Sequence, residues 1–367
     1  IDLSWVIAGP TSTRYLASMG AEVVKVETSS RPDPGRVGPL HDVLGQGKLG
    51  ITLNLKSEGG LEAIKKLIES SDVLIENFGT GVMDRLGLGA KELCAANPNL
   101  LYVSASGLGR TGPEAKAVAY GTLLQCYAGF AGLNGQPDAA PRVGLAWLGP
   151  MCGLKIAFAI AAWMWRRKAG GAGGRIDFSM IEALLWTMAE PILAAQHGQP
   201  PKPEGNASPR YAPHGVYPAN GADTWVAIAV ETDNQWRALC GRVTELASMA
   251  GLDDAGRRAN ADQIANTLSD WTITQLDSDV ADLLTDAGVP ASPVATSLDL
   301  VACDHLRARG FWEDHDGGVM PGLPWRASFG RRNGPAPALG ADTDAVLREV
   351  LSLSDAEIEH LRGLGAL

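Results

Sequence analysis

The stretch "KSEGGLEAIKKLIESSDVLIENF" (residues 56–78) decides the fold class. Leu61, Ile64, Leu67 and Ile68 recur at three- and four-residue spacing, the period of a helix with one apolar face. From residue 72 that period stops. "DVLIENF" is a short run of branched apolar residues and reads as a strand. Upstream, "AEVVKVE" (21–27) and "IDLSWVIAG" (1–9) read as strands. Between them "TSTRYLASMG" (11–20) reads as a short helix closed by Gly20. Downstream, "GVMDRLGLGAKELCAANPNL" (81–100) reads as two short helices and "LYVSASG" (101–107) as another strand. Strand, helix and strand at this spacing imply βαβ units and a parallel sheet, an α/β fold.

A second stretch, "RVGLAWLGPMCGLKIAFAIAAWMWRRK" (142–168), poses a membrane question. A span needs about 20 apolar residues. Gly144, Gly149, Pro150 and Gly153 break the first half, and Lys155 interrupts the rest. The expectation is a loop followed by a buried helix of a soluble protein, about Met151 to Lys168, ended by "AGGAGG" (169–174). "RIDFS" (175–179) then reads as a strand, and "MIEALLWTMAEPILAAQHG" (180–198) as a helix interrupted at Pro191. The Pro-rich "QPPKPEGNASPRYAPHG" (199–215) marks a boundary. Beyond it, "GVYPANGADTWVAIAV" (215–230) reads as a hairpin turning at Asn220–Gly221, with helices around 232–245, 259–269 and 273–287. The predicted organisation is a large domain of residues 1–204 with 310–367, and a smaller α+β domain of residues 205–309.

Composition narrows the function classes. The 367 residues carry a net charge of −10, and 46% are hydrophobic. That balance argues against nucleic acid and against anionic membrane as partners. Cys94, Cys126, Cys152, Cys240 and Cys303 form no close pair, which fits a reducing cytoplasm and argues against a cysteine zinc site. The six histidines show no ligand spacing, so no metal is expected. The first residues lack the basic region of a signal peptide. No GxGxxG follows the first strand and no GxxxxGK[ST] occurs, so neither a dinucleotide site nor a P-loop is expected.

A series of motifs is more specific. It runs "DLSWVIAGPTSTRYLASMGAEVVKVE" (2–27), "LGITLNLKSEGG" (49–60), "DVLIENFGTGVMDRLGLG" (72–89), "NPNLLYVSASGLGRTGP" (97–113), "RVGLAWLGPMCG" (142–153) and "GAGGRIDFSMIEALL" (171–185). "APHGVY", "AGVPASPV" and "LGADTDAVLREVLSLSDAEI" extend it through the second half. This series resembles the class III CoA-transferase family, which includes formyl-CoA:oxalate, carnitine and arylsuccinate CoA-transferases and α-methylacyl-CoA racemase. The resemblance implies a Rossmann-like large domain, a small domain, two interlocked chains, and coenzyme A as part of an acyl-CoA substrate. It maps the CoA side onto Ile7, Leu53, Lys56, Asn77, Phe78, Arg85 and Leu86. Thr28 stands where some members carry Arg, and Arg31 is the nearby substitute. The chemistry fits: cations near a strand end and a helix terminus suit phosphates, and an aromatic face suits the adenine or an apolar wall.

The same mapping leaves the catalytic residue unassigned. In the family's transferases an Asp attacks the thioester, giving first a mixed anhydride and then an aspartyl-CoA thioester. Its position here is Gly149, between Leu148 and Pro150. The racemase's His falls on Tyr120, with Gly121 beside it, and Tyr120 is a poor base near neutral pH. Between Val143 and Ile156 the ionisable side chains are Cys152 and Lys155. Cys152 is a conceivable nucleophile, but a cysteine in an apolar run reads first as a buried thiol. The resemblance therefore points to a CoA-transferase subunit without the nucleophile, paired with an Asp-bearing homologous chain and working on an acyl-CoA and a carboxylic acid. The alternatives are an independent racemase- or lyase-like homodimer and a non-catalytic acyl-CoA binding protein. Trp147, Tyr120, Tyr127 and Met151 suggest a bulky or aromatic acyl group.

Overall fold

A computed structural model describes residues 1–330 and 333–367 of the chain. It divides into two compact units. One comprises Ile1–Ala131, Val143–Pro200 and Met320–Leu367, the other Gly132–Arg142 and Pro201–Val319. The segment 132–142 thus groups with the second unit, where the Gly205 amide donates to the Gly135 carbonyl at 2.9 Å.

The first unit is built on parallel strands β1 (Val24–Glu27), β2 (Leu49–Thr52), β3 (Val73–Glu76), β4 (Leu101–Ser106) and β5 (Gly174–Ser179). β1 pairs with β2, β3 with β4 and β4 with β5, all parallel. Asp2 bridges β1 and β3 through parallel pairs with Lys25 and Ile75. The ladder therefore runs β2, β1, residues 1–3, β3, β4, β5. The expected strand over residues 1–9 is shorter than predicted. The Asp2 carboxylate takes the Ser4 amide at 2.9 Å, and this turns the chain out of the sheet. Helix α1 (Ala8–Ser18) begins four residues later.

Side chains alternate across this sheet. Leu74, Leu100 and Tyr102 join a core with Ile64 and Leu67 of α2 (Glu58–Glu69) and with Val346, Leu347 and Ile358 of the tail. Their neighbours Ile75, Leu101 and Val103 face the other way, onto Ile156, Ile160 and Trp163. A two-residue period with both faces covered is the pattern of a buried parallel sheet. Between β3 and β4 lie the short helices α3 (Val82–Arg85) and α4 (Ala90–Ala96), and α5 (Gly121–Tyr127) follows β4.

Helix α6 (Leu148–Lys168) starts earlier than the sequence suggested. Pro150 sits in its first turn, where an amide has no helical partner to lose, so it does not break the helix. One face, including Cys152, Ile156 and Ile160, is buried. The other exposes Phe158 and Trp165 at 75% and 77%, so the helix is a covering layer and not a fully buried rod. At Gly153 a Cβ would stand 2.5 Å from Thr11 Cβ, so glycine permits the close crossing with α1. Pro191 likewise sits in a first turn. The predicted 180–198 helix divides at Met188 into α7 (Met180–Thr187) and α8 (Ala189–Gln196).

The second unit holds an antiparallel sheet of β6 (His214–Pro218), β7 (Trp225–Ala229) and β8 (Ala291–Pro293). The hairpin forms as expected, but with a wider loop over residues 219–224 closed by the Ala219 amide on the Thr224 carbonyl. Trp236, Leu239, Ile264, Leu268 and Leu284, from three helices, pack on this sheet.

Candidate active-site cleft

A cleft of about 590 Å³ opens in the first unit. Its walls include Thr28, Leu53, Asn77, Ser106 and Met180, each at or just past the carboxyl end of a parallel strand. Ligand sites of open α/β sheets lie at this edge.

One wall is the turn Ser4–Ile7. Asn77 holds it on both sides: the Trp5 amide donates to Asn77 Oδ1 at 2.7 Å, and Asn77 Nδ2 donates to the Trp5 carbonyl at 2.9 Å. Val6 is left-handed, with φ 68°. A β-branched residue is strained there. The Trp5 indole meets Phe78 edge to face, centroids 5.3 Å apart. The Arg31 guanidinium lies 5.0 Å from the Trp5 ring centroid. Arg31, Trp5 and Phe78 thus form a cation and aromatic platform. Thr28 pairs with Ser30 at 3.1 Å on the same rim. Leu53 is fully buried beneath it. Lys56 is exposed two residues before α2, and Asn54 fixes its backbone at 3.2 Å. Asn54 is itself tied to the tail through the Gly365 and Ala366 carbonyls.

Of the residues mapped to the CoA side, Ile7, Thr28, Arg31, Leu53, Lys56, Asn77, Phe78 and Leu86 line this cleft. Arg85, exposed at the end of α3, lies outside the wall. Trp5 and Arg110 also line it, and sequence reading singled out neither. Both lie inside stretches quoted for the resemblance, "DLSWVIAGP" and "GLGRTGP", and that is the sequence signal that could have marked them. Arg110 forms a buried pair with Glu76 at 3.0 Å and donates to Ser104 Oγ at 2.6 Å. Burial pushes the Glu76 carboxyl up despite the Arg110 charge and the hydrogen bonds from Ser104 and the Phe78 amide.

The other end of the cleft is bare. Gly149 is buried in the first turn of α6, and Gly121 lies beside it: a Cβ on Gly121 would stand 3.7 Å from the Gly149 nitrogen. A Cβ on Gly149 would stand 2.8 Å from Ile7 Cγ2. Tyr120 is 68% exposed here. Trp147, Tyr127 and Met151, expected as acyl walls, are not part of the lining, and Trp147 packs on Phe130 instead. Cys152 is fully buried outside the cleft, and burial pushes its thiol up to about 12, which leaves it inert. Lys155 donates to the Ala183 carbonyl at 2.9 Å and sits over Trp186. Among the described residues the lining carboxylate is Glu27, and Arg36 already engages both its oxygens.

Comparison with known proteins identifies the family. The chain is 34% identical over 342 residues to "Acetyl-CoA:oxalate CoA-transferase" of Acetobacter aceti, covering 89% of this chain and 87% of that protein. It is 31% identical over 385 residues to "Succinyl-CoA--L-malate CoA-transferase alpha subunit" of Chloroflexus aurantiacus, covering 99% and 90%. The crystal structure of a CAIB/BAIF family protein from Brucella suis superimposes with a TM-score of 0.88 at 30% identity, covering 95% of this chain and 97% of that one. Residues 1–343 match the family description "CoA-transferase family III", and the chain belongs to that family.

Proposed function

We propose that this chain is the subunit of a class III CoA-transferase that binds acyl-CoA without supplying the nucleophile. The observation that carries the reading is the contrast within one cleft. A cation and aromatic platform suits the CoA phosphates and adenine, yet at Gly149 no carboxylate faces the space where a thioester would react. In this reading the first unit is a Rossmann-like CoA-binding domain, and the second is the small domain. Ile7, Thr28, Arg31, Leu53, Lys56, Asn77, Phe78 and Leu86 contact CoA. Arg85 belongs to the binding site only if the partner chain draws it in.

An Asp-bearing homologous chain interlocks with this one in the cytoplasm and attacks the thioester carbonyl. CoA then passes to a carboxylic acid acceptor, with no metal required. Two features favour a partner. Phe158, Trp165 and Trp186 are large apolar side chains left exposed on α6 and α7, as on surfaces that meet a partner. One relative is itself named an alpha subunit.

The test is transfer of CoA from an acyl-CoA to an acid, followed by mass spectrometry. The chain is assayed alone and then after co-expression with an Asp-bearing homologue. The expected result is activity only in the pair. Turnover by the purified homodimer would reject the reading and favour an independent enzyme. CoA binding with no activity in any pair would favour a binding protein.

A further inference from the structure

Beneath the Trp5 wall lies a charge pair that the family mapping does not use. Lys25 on β1 and Asp33 in the loop after it are 3.0 Å apart, with side chains 4% and 6% exposed. Both grip the Ser4–Ile7 turn. Lys25 Nζ donates to the Ser4 carbonyl. The Asp33 carboxylate accepts the Val6 amide at 2.9 and 3.2 Å. With the Asn77 amide on both polar groups of Trp5, every main-chain donor and acceptor from the Ser4 carbonyl to the Val6 amide is held by a side chain. None is held by sheet or helix.

The pair is locked from behind as well. Asp33 accepts the Gly35 amide at 2.8 Å, and its own amide donates to Glu27 at 3.0 Å. Glu27 is held by Arg36 at 2.6 Å. Lys25, Glu27, Asp33 and Arg36 therefore form one interlocked frame.

Burying two charges is costly, and an apolar pair of the same size is often at least as stable. What an apolar pair cannot do is hold a carbonyl and an amide of a turn whose Val6 has φ 68°. We propose that Lys25 and Asp33 are positioning residues: their ion pair fixes the strained Ser4–Ile7 turn, and so sets Trp5 and Ile7 as walls of the cleft. The consequence for ligand binding rests on the reading of that cleft as the CoA site.

The experiment uses two variants of the full chain, Asp33→Asn and Lys25→Met, each keeping side-chain size while removing one charge. Amide hydrogen exchange is followed without ligand, and CoA affinity is measured by calorimetry. Exchange at Trp5 to Ala8 is expected to speed up by about tenfold or more, the factor for losing roughly one net hydrogen bond, with Val226–Ala229 unchanged. CoA affinity is expected to fall by a similar factor, about tenfold. Wild-type exchange at residues 5–8 in either folded variant would overturn the proposal. So would faster exchange with wild-type affinity, because the turn would then not shape the cleft. If the parent chain binds no CoA, faster exchange still supports the positioning role, and it is the CoA reading that fails.

Discussion

The two ends of the cleft are made of different materials. At one end the Trp5 indole meets Phe78 edge to face beside the Arg31 guanidinium, and the side chains of Lys25, Asp33 and Asn77 hold the backbone of the Ser4–Val6 turn. At the other end Gly149 and Gly121 meet across a gap walled by Ile7. The first end has the cation and aromatic faces of a binding site. The second, among the described residues, places no carboxylate beside Gly149. Recognition and chemistry are therefore carried by different residues, with Ile7 common to the two ends.

The largest effect is expected at the anchored end. Asn77→Ala removes both hydrogen bonds to the Trp5 main chain. Leaving two half-buried polar groups unpaired costs about 2–4 kcal/mol. Urea unfolding should register that loss, and CoA titration should weaken in step. Arg85→Ala, outside the wall, should change either measurement by less than about 0.5 kcal/mol, as surface substitutions do. Equal effects from the two would erase the distinction drawn between them.

At the bare end the corresponding change is an addition. Gly149→Asp by itself places a Cβ against Ile7, and overpacking of this kind costs about 1–3 kcal/mol. Ile7→Ala removes the offending methyl. The double variant should recover stability in thermal melts. It is also the form in which a hydroxylamine-sensitive aspartyl-CoA adduct should be trapped from acyl-CoA. An adduct in the single variant, with no loss of stability, would show that the glycine is not constrained by its neighbour.

These contrasts mark what the sequence could and could not disclose. The period of Leu61, Ile64, Leu67 and Ile68 is local, and so is the alternation of Leu74 and Ile75. Both were legible because each needs only a few adjacent residues. The Ser4–Ile7 turn was not legible. It looks β-prone, and what bends it is Asp2 nearby with Lys25, Asp33 and Asn77 far along the chain. Pro150 misled for a related reason: whether a proline breaks a helix or opens it depends on where the helix starts. Motif positions were readable by resemblance. Which of them face the cleft was not, since Arg85 and Leu86 are neighbours and only Leu86 lines it.

Acid should disturb the anchored end before the bare one, because the charge frame lies beneath it. Burial opposes ionisation of Asp2, but the Lys48 and Lys25 ammonium groups and the Ser4 and Thr13 hydroxyls outweigh it, so its carboxyl lies below the ordinary value. Glu27 is lowered too, against burial, chiefly by its hydrogen bond from Arg36. A lowered carboxyl contributes stability that is present above its unfolded pKa and lost as pH falls through the folded one, about 1.4 kcal/mol per unit of displacement. Stability should therefore fall below about pH 4.5, the region of free carboxyls. Asp2→Asn should flatten that fall. Glu76 has the opposite sign: raised by burial, it loses its contribution as pH rises through its folded value. A steeper acid fall in Asp2→Asn would contradict the assignment.

The smallest effect belongs to Cys152, and it closes the question of the bare end. It is the one residue near Gly149 that sequence reading left as a conceivable nucleophile. Its side chain is fully buried, its sulfur points to the Met180 carbonyl at 3.9 Å, and its thiol is pushed up to about 12. At pH 8 only about one part in ten thousand would be thiolate, and alkylation requires both thiolate and access. Iodoacetamide should label exposed Cys126 in the folded chain and spare Cys152. Cys152→Ala should leave CoA affinity within about twofold, because it alters packing behind the helix and nothing in the wall. Rapid labelling of Cys152, blocked by acyl-CoA, would give the bare end a nucleophile of its own and remove the reason for a partner chain to supply one.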